Sequence, residues 1–362
     1  MKGPVVLARA VPLATVLLLL PLLALSGCGG SGTTTSTSPP PAPGEAASPT
    51  VEASSSGVPL PAPTVAGTIA FTRYAENEWT QVDHDICVVN TDGTGLKVLA
   101  GGEGCQMYPQ WSPDGSRIVY FESMTGDQDP QNVWVMNADG SGKVQLTGKS
   151  PENESVWPSW SQDGKRIVFS QLVFYTGGVG RTAIYVMNAD GSGVRNVTSK
   201  KGAGVNLSDY WPTWGKDGTI SFYRNTAGGV LSKFSVKPDG SGLRRLVKEA
   251  GVTEYNDEGK WLKYELALSP DGKWVARHDV DSDRLVVVPV RGGGDPVTLL
   301  DPVSAYAEIS VDAVWSPDGK ALAVASQSES GFSRIYIVNA DGTGLSAVPG
   351  VDAAMQPAWR PE

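Results

Sequence analysis

Few residues in this chain of 362 have the spacing that metal-binding chemistry requires. Asp279, Asp281 and Asp283 have the alternating spacing of a calcium-binding loop. The sixth position of that loop is Arg284 where glycine is needed, and the twelfth is Val290 where a bidentate glutamate is needed. We therefore interpret this segment as an acidic loop without a metal.

The chain contains two histidines, His84 and His278, and each of them follows or precedes an aspartate. Two imidazoles and carboxylates can bind zinc, but these histidines belong to repeats that are not adjacent. The sequence has no G-x-S-x-G elbow, no H-E-x-x-H, no phosphate-binding loop and no C-x-x-C. It therefore predicts no catalytic residue, no metal site and no cofactor.

Aromatic residues recur just before a repeated W-S-P-D-G segment, where the chain between repeats is irregular. One position before the repeated segment is predicted to be equivalent in all six repeats. The residues at this position are Tyr108, Trp157, Trp211, Tyr264, Val311 and Gln356. The candidate partner-binding residues are Tyr108, Trp157, Tyr210, Trp211, Trp261 and Tyr264, with the acidic residues Glu154, Asp209 and Asp352. Aromatic side chains carry much of the binding energy at interfaces, so this set predicts a surface for a peptide, a sugar or a basic segment. Packing of the same aromatics between sheets is the alternative.

The elements that position these residues are internal repeats. "PQWSPDGSRIVYF" returns as "PSWSQDGKRIVFS", "PTWGKDGTISFYR" and "AVWSPDGKALAVA", and segments such as "NADGSG" alternate with them. The repeat centres are 44 to 54 residues apart and comprise Trp111, Trp160, Trp214, Leu268, Trp315 and Trp359. A period of this length is typical of a four-stranded propeller blade.

Each repeat has the pattern of four short strands. Segments such as "RIVYF" and "NVWVMN" are rich in β-branched and aromatic residues and are bounded by turn residues. Asp-Gly pairs between such segments favour hairpin turns, because glycine accepts the positive φ that these turns require. The repeated aspartates are therefore interpreted as turn formers that bond their own backbone.

The first and last repeats complete each other. The segment "GTIAFTR" from Gly67 has no inner strand of its own, and the last "PAWR" has no strands after it. The C-terminal strand is therefore expected to join the N-terminal blade, which closes the ring and leaves only short edges. The prediction is an all-β, six-bladed propeller closed in this way.

The "WSPDG" and "NADGSG" segments resemble the repeats of the TolB-like, WD40-like PD40 propeller family. The resemblance covers residues 66–362 and implies a six-bladed propeller. The repeat at Leu268 departs from the pattern, since it reads "LALSPDG" without the tryptophan and carries "VRGGGDP" in place of "NADGSG".

The N-terminus has the pattern of an export signal. Lys2 and Arg9 precede a leucine-rich stretch from Val11 to Leu25, and the "LSGC" that ends at Cys28 resembles a bacterial lipobox. This resemblance implies cleavage before Cys28 and a lipid on its sulfur; an ordinary secretory peptide is the alternative. An acylated cysteine would anchor the protein to the membrane.

Composition then divides the chain into three parts: a lipoprotein signal peptide over 1–27, a linker over 28–65 and the propeller over 66–362. The linker is rich in Ser, Thr and Pro and cannot bury a hydrophobic face, so it is expected to be disordered. The predicted location is extracytoplasmic, with a lipid anchor in the bacterial cell membrane.

Charge and cysteine content limit the partners. The net charge of −9 without a basic cluster argues against nucleic acid. If Cys28 carries a lipid, Cys87 and Cys105 remain, and an oxidising compartment favours a disulfide between them. Two separate thiols are the alternative.

The sequence thus predicts a monomeric binding or scaffold module of the cell envelope. Its partner-binding surface is the connector face, defined as the face formed by the chain between repeats and the loops between second and third strands. The expected partner is a protein or peptide, and a glycan is the second possibility. A carbohydrate-active or metal-dependent enzyme of the lyase type, and a purely structural envelope protein, are the alternative functions.

Overall fold

The computed structural model describes residues 65–74, 84–102, 104–123, 130–148, 153–174, 180–198, 208–225, 231–246, 263–279, 282, 284–290, 294–300, 311–327 and 333–362. All regular elements in these ranges are β-strands, as the sequence predicts. None of these residues forms a helix that could span a membrane. The predicted signal peptide, Cys28 and Trp261 lie outside the described residues.

The first half of the described chain contains strands β1 to β12: β1 Thr68–Tyr74, β2 His84–Asn90, β3 Lys97–Ala100, β4 Cys105–Trp111, β5 Arg117–Ser123, β6 Asn132–Asn137, β7 Val144–Gln145, β8 Asn153–Trp160, β9 Arg166–Phe174, β10 Gly180–Asn188, β11 Arg195–Asn196 and β12 Asp209–Trp214. The second half contains β13 to β24: β13 Ile220–Asn225, β14 Leu231–Val236, β15 Arg244–Arg245, β16 Lys263–Leu268, β17 Trp274–Asp279, β18 Arg284–Pro289, β19 Val297–Leu300, β20 Val311–Trp315, β21 Ala321–Gln327, β22 Ser333–Asn339, β23 Ser346–Ala347 and β24 Ala354–Trp359.

These strands form one eight-stranded sheet and four antiparallel sheets of four strands, β8–β11, β12–β15, β16–β19 and β20–β23. The eight-stranded sheet contains β24 with β1–β3 and also β4–β7, joined by the single parallel pair of His84 with Cys105. The last strand, β24, pairs antiparallel with β1, and Trp359 lies opposite Ile69. The predicted pairing of the C-terminal strand with the first folded strand is therefore confirmed.

The hydrophobic core lies between the sheets. In β5, Ile118, Val119, Tyr120 and Phe121 are all almost fully buried, although neighbouring side chains of a strand point to opposite faces. Alternate residues of β5 belong to different clusters, one shared with β1 and β2 and the other with β8–β11. Both faces of this sheet are thus covered, which explains the near-continuous apolar segments in the sequence.

The Asp-Gly turns after the inner strands are built by side-chain hydrogen bonds. The Ser112 hydroxyl donates to Asp114 Oδ1 at 2.6 Å, and the backbone N–H of Ser116 donates to the same oxygen at 3.1 Å. The same serine–aspartate bond recurs at Asp163, Asp271 and Asp318. The interpretation of these aspartates as turn formers is confirmed.

In four repeats the central tryptophan ties one sheet to the one before it. The indole N–H of Trp160 donates to the carbonyl of Gln110 at 3.2 Å, and the Arg117 guanidinium lies 4.7 Å from the Trp160 ring centre. Equivalent bonds join Trp111 to Ala358, Trp315 to Ala267 and Trp359 to Val314. These carbonyls lie in β4, β24, β16 and β20, which are inner strands, the strands that end at a repeat centre. The bonds therefore fix the spacing of adjacent sheets.

Two junctions lack this bond in the described part of the chain. At one of them the buried indole N–H of Trp214 has no partner, but the ring packs with Val168 and Ile184 of the sheet before it. The other junction, which we call the seam, is the contact of the β12–β15 sheet with the β16–β19 sheet. Its repeat centre is Leu268, which has no N–H to donate from its side chain and is 52% exposed. Among the described residues, no hydrophobic cluster contains members of both sheets, whereas Val275, Val286 and Val288 cluster within one. The seam is therefore the least packed junction of the described fold.

The turn aspartates predict a specific acid sensitivity. The hydroxyl of the preceding serine and then the backbone N–H groups hold the pKa of Asp114 and of Asp271 at about 2, below the ordinary 3.8. A lowered folded-state pKa contributes stability that is present above the ordinary pKa and is lost as the pH falls toward 2. The Asp114→Asn/Asp271→Asn variant keeps an acceptor oxygen but no titrating group. Urea unfolding between pH 5 and pH 2 should show a shallower loss of stability for this variant, and parallel curves would contradict the assignment.

The seam predicts a stabilising substitution. Leu268→Trp supplies the missing indole donor and is expected to raise the free energy of unfolding by about 1 kcal/mol, the net value of one hydrogen bond. Trp160→Phe, which removes an existing bond, should lower it by a similar amount. Thermal unfolding of both variants measures the two effects, and a destabilised Leu268→Trp would show that the seam has no room for the ring.

Candidate functional site

Four inner strands carry the same distortion, an X-Pro pair at which the pairing register shifts. The residues before proline are Tyr108, Trp157, Trp211 and Gln356, and their φ angles are 57°, 52°, 49° and 53°. Proline has no N–H for the sheet and is therefore tolerated at a bulge, and bulges redirect side chains. A positive φ is unusual for large residues and costs roughly 1–3 kcal/mol. The fold therefore holds these four side chains in place against a backbone preference.

Three of the redirected residues belong to one aromatic cluster, which we define as Tyr108, Trp157, Tyr210 and Trp211 together. The ring centres of Trp157 and Trp211 are 5.5 Å apart, and those of Tyr210 and Trp211 are 5.7 Å apart. Tyr108 packs on the same core, stacked at 5.4 Å on Phe121. The structure thus brings together four of the six predicted aromatic residues.

The aromatic cluster combines core packing with exposure. Trp157 is 8% exposed, whereas Tyr108, Tyr210 and Trp211 are half-buried. The indole nitrogen of Trp157 lies beside the Tyr108 phenol, but its N–H makes no well-aligned hydrogen bond to any described residue. The cluster therefore fits both interpretations of the aromatic residues. Trp157 packs in the core between sheets, and Tyr108, Tyr210 and Trp211 are partly exposed and can form a binding surface.

Gln356 organises a polar network next to the cluster. Its Oε1 accepts hydrogen bonds from the Thr72 hydroxyl at 2.7 Å and from the backbone N–H of Tyr108 at 3.1 Å. Its backbone N–H donates to the carboxylate of Asp312. The network connects β1, β4, β20 and β24 at the connector ends of the inner strands.

The sequence analysis missed Asp312, which stands three residues before Trp315, the offset that Trp157 has from Trp160. Burial raises the pKa of its carboxyl group. Burial, and then the Asp312 carboxylate, raise the pKa of Tyr74 to about 12 and that of Tyr108 as well. Asp312 and not Val311 therefore occupies the position equivalent to Trp157, so that expectation is wrong by one residue.

The expected position of Tyr264 is also wrong by one residue. It pairs with His278 at the step of the sheet where Tyr210 pairs with Tyr223. Tyr264 is therefore equivalent to Tyr210 and not to Trp211. Counting back from a repeat centre that is leucine, without a proline in front of it, caused the error.

The three predicted acidic residues have different environments. Asp209 is 3% exposed, and its two oxygens accept hydrogen bonds from Arg224 at 2.6 and 2.8 Å. This buried ion pair corrects the expectation that Asp209 meets a partner. Asp352 is exposed and pairs with Arg334 at 2.7 Å. Glu154 is half-buried on β8, and burial raises its pKa.

The predicted Cys87–Cys105 disulfide is wrong, because Cys87 is a free thiol. Cys87 lies opposite Phe71 and packs with it in the core shared with β21 and β22. Cys105 packs in the cluster of Met107 and Trp157, which is a different core. Burial raises the pKa of the Cys87 thiol to about 11, so it is a protonated core residue at neutral pH.

Metal-ligand geometry is not found in the described part of the chain, where no group of three or more His, Cys, Asp and Glu could hold an ion. His84 and His278 lie in different sheets. In the candidate calcium loop, Asp279 accepts a hydrogen bond from the Ser282 hydroxyl at 3.0 Å. The other two aspartates of the loop, Asp281 and Asp283, lie outside the described residues.

Comparison with known proteins agrees with this arrangement of sheets. Residues 64–361 match the PD40 family profile, described as the TolB beta propeller domain. The chain belongs to the TolB β-propeller family. A relative in Agrobacterium fabrum, the uncharacterized protein Atu1656, is 24% identical over 281 residues, which covers 70% of this chain and 80% of the relative.

Two solved structures share the fold. TolB from Acinetobacter baumannii aligns with a TM-score of 0.59 at 19% identity over 82% of this chain and 67% of that one. Hydrazine synthase from Kuenenia stuttgartiensis aligns with a TM-score of 0.57 at 15% identity. That alignment covers 83% of this chain but only 47% of the synthase chain. At these identities the TolB-like propeller is shared as architecture alone.

The Asp209–Arg224 pair predicts an asymmetric response to substitution. Arg224→Met leaves a buried carboxylate without its partner and should lower the free energy of unfolding by about 3–5 kcal/mol. The Asp209→Leu/Arg224→Met variant removes both charges and should recover most of that loss. Denaturant titrations of the three proteins measure this, and a double variant no more stable than the single one would contradict it.

Proposed function

We propose that this protein is a lipid-anchored, extracytoplasmic binding module of the cell envelope that holds a protein or peptide partner at its aromatic cluster. The module is a six-bladed propeller in which the eight-stranded sheet supplies two blades, β24 with β1–β3 and β4–β7. The lipobox-like "LSGC" and the linker over 28–65 support attachment through Cys28. Membership of the TolB propeller family supports a protein-interaction role in the envelope.

The observation that carries the proposal is the set of strained residues before proline. Three of the four are aromatic, and they converge on one place. Strained backbone persists only where the surrounding structure enforces it, and it concentrates at ligand clamps and active sites. A cluster needed only for packing gains nothing from this strain.

The chemistry of the cluster fits a peptide. Half-buried Tyr210 and Trp211 offer apolar ring surface with polar edges, which is typical of interface anchors. The phenol of Tyr210 and the indole N–H of Trp211 are side-chain donors for backbone carbonyls. A peptide supplies both apolar side chains and carbonyl oxygens in one extended segment.

The test is photo-cross-linking in intact cells with the full-length chain. A photoreactive amino acid at Tyr210 is expected to give one discrete protein adduct. The same group at Lys143, which is exposed on the opposite face of the propeller, is expected to give none. Equal adducts at the two positions, or none at Tyr210, would contradict a partner site at the aromatic cluster.

A matched pair of tryptophan substitutions sharpens this test. Trp211→Ala should weaken partner binding roughly 30-fold, the effect of removing an interface hot spot of about 2 kcal/mol. Trp274→Ala, which removes a partly exposed tryptophan outside the aromatic cluster, should leave the adduct at Tyr210 unchanged. Loss of the adduct in both variants would indicate unfolding, which circular dichroism of the purified variants detects.

A further inference from the structure

The Asp-Gly turns lie together at one end of the sheets, which we call the turn face and which is opposite the connector face. Backbone hydrogen bonds join the two kinds of turn within a sheet. The N–H of Ala138 donates to the carbonyl of Ser116 at 2.9 Å, and the N–H of Ala189 donates to the carbonyl of Lys165 at 2.9 Å. The repeated turns therefore form one continuous surface at this end of each sheet.

The described domain begins at the turn face. The hydroxyl of Thr91, in the first of these turns, donates to the carbonyl of Val65 at 3.0 Å. The backbone N–H of Thr91 donates to the carbonyl of Gly67 at 2.9 Å. The chain that leads from Cys28 therefore reaches the domain on the turn face and not beside the aromatic cluster. Fully extended, residues 28–65 would span roughly 120 Å, so this connection alone does not decide which face meets a membrane.

The turn face carries exposed apolar side chains next to basic ones, where outer strands begin. Leu243 is 45% exposed and precedes Arg244 and Arg245, which are both exposed. Val194 is 49% exposed and precedes the exposed Arg195. The same combination recurs after two further turns, as Leu96 with Lys97 and as Lys143 with Val144.

Two of these combinations form one surface across neighbouring sheets. We call it the basic patch and define it as Val194, Arg195, Lys237, Leu243, Arg244 and Arg245. The Arg195 guanidinium donates to the carbonyl of Pro238, in the turn that precedes Leu243. Arg244 Nε donates to the Ser235 hydroxyl at 3.1 Å. These bonds hold the two arginines on the outer strands of the β8–β11 and β12–β15 sheets.

The acidic residues of the same two outer turns are engaged within their turns. Asp190 accepts a hydrogen bond from the N–H of Ser192 at 2.9 Å, and Asp239 accepts one from the N–H of Ser241 at 2.8 Å. The basic patch has four basic side chains against these two carboxylates. Its local charge is therefore positive, although the net charge of the chain is −9.

Protection of the strand edge does not explain the basic patch. Charged residues on a free edge prevent pairing with another chain, but exposed leucine and valine have the opposite effect. Aliphatic side chains surrounded by arginine and lysine are typical of surfaces that lie on anionic lipid. The aliphatic groups enter the interface, and the guanidinium groups meet phosphate. Because the chain as a whole is acidic, an anionic surface attracts the domain only where basic side chains outnumber acidic ones.

We propose that the turn face docks on an anionic phospholipid bilayer through the basic patch, so that the connector face and the aromatic cluster point away from the membrane. The proposal goes beyond the proposed function and takes from it only the attachment through Cys28. The bilayer is the expected occupant because the chain that leads to Cys28 reaches the domain on this same face, at Val65.

The experiment uses the full-length acylated chain on phosphatidylcholine vesicles, with and without about 30% phosphatidylglycerol. A photoreactive amino acid replaces either Leu243 or Arg334, which is exposed at the connector end of β22. On vesicles with phosphatidylglycerol, Leu243 should cross-link to lipid, and Arg334 should give at least about fivefold less lipid adduct, the factor that one basic residue contributes at an anionic surface. Equal adducts at the two positions, or none at Leu243, overturn the proposal.

The lipid composition and two charge-reversed variants locate the attraction. The lipid adduct at Leu243 should fall at least about fivefold on phosphatidylcholine alone, and likewise in Arg244→Glu/Arg245→Glu on the anionic vesicles. Arg284→Glu/Arg334→Glu makes the same charge change at the connector ends of β18 and β22 and should leave the adduct unchanged. Equal adducts on the two kinds of vesicle overturn the anionic surface as the occupant. An adduct that survives the reversal at Arg244 and Arg245, or falls equally in the control variant, overturns the assignment to the basic patch.

Flotation of the vesicles separates this proposal from the proposed function. A chain that floats with the vesicles but gives no lipid adduct at Leu243 overturns the docking and leaves the attachment through Cys28 standing. A chain that floats with neither kind of vesicle overturns the attachment and the docking together.

Discussion

The bond between a tryptophan indole and the neighbouring inner strand is the interaction on which the rest of the structure depends. It joins Trp160 to Gln110 and recurs at three other junctions. A four-stranded sheet with two apolar faces is not stable alone, so each sheet needs both neighbours at a fixed distance. Serine–aspartate turns follow Trp111, Trp160 and Trp315 at the ends of their strands, and the pairing of β24 with β1 brings the two ends of the series together.

The candidate site is a consequence of the same inner strands. Each of the four strands with an X-Pro pair ends in a tryptophan, and three residues earlier the residue before proline turns its side chain out of the sheet. Because adjacent strands carry the bulge at the same height, Tyr108, Trp157 and Trp211 meet without belonging to the same sheet. The position of the site is therefore set by the repeat, and its chemistry by the residue that each repeat places before the proline.

The all-β propeller could be read from the sequence because the repeats give the same signal several times. Tyr108, Trp157, Tyr210 and Trp211 could be found for the same reason. Asp312 could not, because its strand has neither the proline nor an aromatic residue to mark it. The Cys87–Cys105 disulfide failed on a different ground: spacing along the chain does not show that two strands point their cysteines into separate cores. The role of Asp209 failed because its partner, Arg224, is recognised only once β12 and β13 are paired.

The seam at Leu268 has a consequence for how such a ring can change over evolutionary time. A ring whose junctions were all equally tight would resist the gain or loss of a repeat, since any insertion would break a well-packed contact. A ring with one loose junction can admit a duplicated or permuted repeat there at small cost. The exposed Leu268 thus marks the junction at which this architecture most easily accommodates another repeat.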